Sequence, residues 1–124
     1  MNIALWIVAG LAALAFLGAG ANKIARGKKV EEMGMAWAKH YSNSGIRAIG
    51  AVEVLGALGL VLPAATGIAV WLTPAAAIGL VLVMIGAVVQ HLKDGDGIKG
   101  SAPAIVLGLL VAFVAVGRVV IAPF

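Results

Sequence analysis

The sequence predicts an all-α membrane fold: an antiparallel bundle of four transmembrane helices, with a short amphipathic interfacial helix between the first and the second. Three observations support it. Four stretches of about 18–20 residues are apolar, close to the roughly 20 that a ~30 Å hydrocarbon layer requires. The chain is 63% hydrophobic and 11% charged, with a mean hydropathy of +1.12, whereas a soluble domain is about 45–50% apolar and about 25% charged. The few charges are concentrated in two of the three connections.

The first stretch, residues 3–22, carries no charge before Lys23. Ala19-Gly20-Ala21 resembles a signal-peptide cleavage site. No Lys or Arg precedes the apolar run, however, and the run is longer than a usual signal core, so a retained helix is expected. The second stretch, residues 45–62, is expected to stop at Pro63. The third, residues 73–90, opens on Thr73-Pro74, where Thr suits the N-cap and Pro the first helical position. The fourth, residues 103–120, begins at Pro103. Each is expected to be helical, because backbone polar groups find no water in hydrocarbon.

The connections differ in character. Within residues 28–41, Val30, Met33, Trp37 and Tyr41 recur at helical spacing, with Lys28, Lys29, Glu31, Glu32 and Lys39 on other faces. That pattern predicts an amphipathic helix lying in the headgroup layer. Residues 63–72 read as a short apolar hairpin, and residues 91–102 as a polar turn with three glycines. Asp94 and Asp96 lack the companions of a calcium loop and read as part of that turn.

Charge also sets a direction. With four spans, the first and third connections share a side and hold Lys23, Arg26, Lys28, Lys29, Lys39, Arg47, Lys93 and Lys99; the other side has Arg118. The positive-inside rule then puts both charged connections in the cytoplasm and both termini outside. Trp6 and Trp71 fall near the outer interface, Trp37 and Tyr41 near the inner one. Arg118 is expected to snorkel outward, with a partner or an anionic lipid head group as the alternative.

Several functions are excluded or disfavoured. The net charge of +4 is scattered along loops and helix ends and lacks the clustered footprint of a nucleic-acid face. Without cysteine there is no disulfide, thiolate metal site or thiol redox chemistry within the chain. No phosphate loop or catalytic Ser/His/Asp pattern can be assembled, so no catalytic residue and no metal site are assigned. His40 could join His91 at a metal only weakly.

Polar residues cluster at one depth. Glu53 lies inside the second apolar stretch, where a charge is costly and usually faces a partner or a cavity. Threading brings Asn22, Lys23, Arg47, Gln90 and His91 to the same end. Arg47 and Glu53 are six residues apart, roughly 240° around a helix, so Glu53 must look to another helix. Lys23 is the preferred partner and His91 the second choice. Two readings stay open: a site for a proton, a quinone head group or a small polar ligand, or a buried ion pair that fixes helix register. Small-residue pairs, Ala9/Ala13, Ala75/Gly79 and Gly108/Ala112, suit close helix packing.

With these residues placed, the chain resembles the DoxX-like family of small four-helix bacterial membrane proteins. The resemblance rests on Gly18-Ala19-Gly20-Ala21-Asn22-Lys23-Ile24, on Arg47 through Glu53 to Gly59, and on Leu72-Thr73-Pro74 followed by a helix ending in His91. The family is named for a subunit of an archaeal thiosulfate–quinone oxidoreductase. Other members accompany redox-defence proteins, and distant animal relatives are receptor-assembly chaperones. The resemblance therefore implies a fold firmly and a function only broadly.

The expected function is an accessory subunit, without catalysis of its own, in a redox or quinone-linked complex of the bacterial inner membrane. Expected partners are lipid and a larger membrane protein or a second copy, with quinone as a possible cofactor. Alternatives are a small dimeric proton-coupled transporter and a structural assembly factor.

Overall fold

The computed structural model describes residues 1–33 and 35–124, apart from the side chains of Met33 and Ala36. Four α-helices dominate: α1 (Asn2–Arg26), α2 (Asn43–Thr66), α3 (Leu72–Lys93) and α4 (Gly97–Val116). Each is long and apolar enough to cross a membrane. Among the described residues there is no strand.

The outward faces are apolar throughout, with Leu55, Leu82 and Leu109 about two-thirds exposed. Such a surface suits lipid and not water. The inward faces form one core. Leu5, Ala9, Ala12 and Phe16 recur every three or four residues on α1 and are buried. In the shared core, α1's Ala9, Ala12 and Phe16 join Ala57 and Leu60 of α2, Ala77, Leu80 and Met84 of α3, and Val111 and Val114 of α4. Of the small-residue pairs, Ala9 is buried and Gly108 faces Met84, whereas Gly79 has no neighbour within contact distance.

Two glycines set the closest helix contact. A Cβ on Gly20 would lie 2.6 Å from the Gly50 carbonyl oxygen, and one on Gly50 would lie 2.6 Å from that of Gly20. The backbones of α1 and α2 therefore touch where neither residue has a side chain.

Helix ends depart from expectation. Pro63 does not stop α2, which continues to Thr66 and closes on Gly67 at φ 74°, a left-handed cap that glycine adopts freely. Pro63 lacks the N–H that would bond Gly59 four residues back. Thr73, expected to cap its own helix, instead donates its hydroxyl to the Gly59 carbonyl at 3.1 Å. The connection from α2 to α3 thus shrinks to residues 67–71. Helix α4 starts at Gly97, six residues before Pro103, because the Gly95–Asp96 turn ends α3 sharply and Pro103 lies inside the helix. Beyond Val116 the helix widens into a π-helical turn, Gly117–Ile121.

Residues 28–41 do not form the single amphipathic helix that their spacing predicts. They fold as two 3₁₀ segments, Gly27–Met33 and Ala36–His40. The cause is Lys28, whose Nζ donates to the carbonyls of Ala38 at 2.6 Å and Tyr41 at 2.7 Å and draws the segment back on itself. Val30 and Ala38 are buried there against Ile46 of α2. Met33, part of the predicted apolar stripe, has its side chain outside the described residues.

Candidate functional site

Lys23 stands on the last turns of α1 and Glu53 on the third turn of α2. A helical side chain leans toward the N-terminus of its own helix. The Gly20–Gly50 contact brings the two helices together beside these residues, with a Gly50 Cβ only 2.8 Å from Lys23 Cβ. Lys23 Nζ then meets Glu53 Oε1 at 2.7 Å, with the two side chains 11% and 3% exposed. The contact is an ion pair whose angles fall outside hydrogen-bond geometry. Lys23 also lies 5.8 Å from the centre of the Trp37 ring, within cation–π range. Trp37 in turn meets Tyr41 edge to face, at 5.7 Å between centroids.

This pair sits in the wall of a cavity of about 410 Å³. Lys23, Glu53, Gln90 and His91 supply polar groups. Trp37 and Tyr41 come from the first connection, and Ile49, Val83, Met84, Ala87 and Leu107 from three helices. Its volume falls in the range of small-molecule sites, about 300–1,000 Å³, and its makeup, apolar walls with a few converging polar groups, is theirs too.

The remaining expected site residues divide. Gln90 lines the cavity and donates to Asp94 Oδ1 at 3.2 Å. His91 lines it as well but turns to Asp96, with Nδ1 2.8 Å from Oδ2, and not to Glu53. Arg47 is exposed on the first turns of α2 beside Gly27, and Asn22 is half-buried; neither lines the cavity. Trp71 is 66% exposed.

Arg118 is covered by both ends of its own chain. It is 5% exposed. Its Nη1 donates to Asn2 Oδ1 at 2.6 Å and to the Ala122 carbonyl at 3.0 Å. Its guanidinium packs 4.0 Å from the Phe124 ring centre and 5.7 Å from that of Trp6. The guanidinium thus lies at the end of the bundle where the two termini meet, with the rings of Trp6 and Phe124 beside it.

Sequence reasoning read the two aspartates of the third connection as a plain turn and missed their histidine partners. Asp94 accepts from His40 Nε2 at 2.8 Å, tying the first connection to the third. Desolvation raises the Asp94 carboxyl, but hydrogen bonds from His40 and Gln90 and the charges of His40 and Lys39 outweigh it and hold it below the usual carboxylate range. The available signal was complementarity: a basic first connection facing the one acidic pair in the third. Among the described residues, no three His, Cys, Asp or Glu side chains gather closely enough to hold a metal ion.

A family model described as the DoxX-like family matches residues 7–114. Comparison with curated proteins and with solved structures finds no match. The matched span includes α2 and α3 whole, most of α1 and α4, the Lys23–Glu53 pair and both connections that surround the cavity. The chain belongs to the DoxX-like family.

Proposed function

We propose that this protein is an accessory subunit, without catalysis of its own, of a redox or quinone-linked complex in the bacterial inner membrane, and that the cavity beside Glu53 is its ligand site. One observation carries the reading: a mostly apolar chamber of about 410 Å³ has Lys23, Glu53, Gln90 and His91 in its wall. Apolar walls take the body of an amphipathic molecule, and Lys23, Gln90 and His91 hold its hydrogen-bonding head. Quinones belong to that ligand class.

The topology that goes with this reading is an antiparallel bundle. The first and third connections lie in the cytoplasm, the two termini outside, and the 27–41 segment in the headgroup layer. The eight-to-one distribution of basic residues supports that orientation. Trp37 and Tyr41, in the cavity wall, suit an interfacial position. The exposed apolar faces are where lipid, and a larger membrane protein or a second copy, would pack.

The test is extraction of the protein in gentle detergent. The reading expects quinone in the wild-type extract, less of it from Glu53→Gln, and a stoichiometric membrane partner in a pull-down. A chain that emerges alone, monomeric and without quinone would sink it.

The membrane-embedded Glu53 also favours a small dimeric proton-coupled transporter. That reading expects uptake into proteoliposomes that Glu53→Gln abolishes. The assembly-factor reading expects a partner but no effect of Glu53→Gln on bound quinone.

A further inference from the structure

The cavity beside Glu53 adjoins a wider recess of about 560 Å³. Lys23, Trp37, His91 and Pro103 line both, so the two form neighbouring chambers separated by those side chains. The inner chamber is walled by aliphatic groups such as Ile49, Val83 and Leu107. The outer one is the more polar of the two and adds Asp96 and Lys99.

The charges of the two chambers are not equally available. Lys23 is paired with Glu53 at 2.7 Å, and the Asp96 carboxylate, in the outer chamber with Lys99, is turned to His91 Nδ1 at 2.8 Å. Lys99 has no ion pair among the described residues and faces the outer chamber. A ligand head that enters between the chambers therefore meets a cation whose charge is still open, beside a second, Lys23, already balanced. Charge-assisted hydrogen bonds from ammonium groups are the strong ones, and they favour an anionic acceptor over a neutral one.

We propose that the two chambers hold one molecule between them: a single-chain amphipath with an acidic head, a carboxylate or a phosphate monoester. Its chain fills the inner chamber and its acid lies beside Lys99 and Lys23. The inference rests on the cavity being a ligand site and puts an acidic amphipath, in place of a quinone, in it. The volume of the inner chamber lies toward the small end of small-molecule sites, which fits one chain.

Trp37 lines both chambers and serves as the reporter. The full-length protein carrying Trp6→Phe and Trp71→Phe is titrated with brominated hexadecanoic acid, with its methyl ester and with a brominated alkyl phosphate, following quenching of Trp37. The acid and the phosphate are expected to half-saturate at concentrations about tenfold lower than the ester, the effect of one charge-assisted contact. Lys99→Gln removes that preference. Ala87 lines the inner chamber from a partly buried position on α3. Ala87→Phe puts a ring into the chamber and is expected to abolish quenching by all three probes, with an unchanged helical circular-dichroism spectrum showing that the variant folds. An ester that matches the acid, or a Lys99→Gln variant that keeps the preference, overturns the acidic head while the cavity reading stands. Unchanged quenching in a folded Ala87→Phe variant overturns both.

Discussion

The hydroxyl of Thr73 hydrogen-bonds the carbonyl of Gly59 across two helices, at the one backbone position that Pro63 deprives of its helical donor. Thr73 is 1% exposed, so no solvent can replace the bond. Thr73→Val keeps the shape and removes the donor, and the expected loss is about 1 kcal/mol. Thr73→Ser keeps most of it. In a Pro63→Ala background residue 63 regains its N–H, and the cost of Thr73→Val shrinks. Unfolding of the four variants in detergent forms a double-mutant cycle, and additive effects would show that the two sites are independent.

The Gly20–Gly50 contact predicts a sharp contrast among glycines. Gly20→Ala or Gly50→Ala pushes a methyl into facing backbone, which cannot yield as a side chain tip can. Each is expected to destabilise by about 1–3 kcal/mol. Gly79→Ala, with nothing within 4 Å of its Cβ, is expected to be neutral or slightly stabilising, since alanine is the better helix former. Thermal unfolding in detergent separates the two classes.

Removing one partner of the Lys23–Glu53 pair leaves a buried charge without compensation. Lys23→Met is expected to destabilise by about 3 kcal/mol or more, while Lys23→Met with Glu53→Gln costs less than Lys23→Met alone. The same unfolding assay reads this. If the double variant were as unstable as the sum of the two singles, the pair would not be coupled.

The link between the first and third connections has a defined pH range. The folded Asp94 carboxyl sits below its ordinary value of about 3.9. A depressed carboxyl contributes stability that is present above the ordinary value and is lost as pH falls through the folded one. The contact with His40 is therefore expected to survive down to about pH 4 and to weaken below that. Carboxyl-carbon NMR of Asp94 should titrate below about 3.9 in the wild type and higher in His40→Ala. An unmoved midpoint in His40→Ala would assign the depression to Gln90 and Lys39.

The four spans were legible because lipid imposes a length and an apolar composition that any reader of the sequence can count. The depth of Lys23, Glu53, Gln90 and His91 followed from threading alone. Which of them meet did not. Arg47 has the right depth and the wrong face, so it stays exposed. His91 faces Asp96, whose nearness depends on a turn at Gly95 that only the fold reveals. Pro63 and Thr73 look like local stop and start signals in sequence. Their actual roles are coupled across space, through a carbonyl that neither residue owns. The 28–41 segment has the periodicity of one helix, but Lys28 finds two carbonyls that an uninterrupted helix would have kept for itself.

Asn2 and Arg118 are 116 residues apart and hydrogen-bonded. In the order of synthesis, the first helix therefore acquires this partner only after the last helix has been made. Until then Leu5, which packs against the turn at Gly117, has an uncovered flank. The seam between α1 and α4 is thus the part of the bundle that synthesis completes last. A chain halted before α4 would leave α1 open along that flank for quality-control proteases to read.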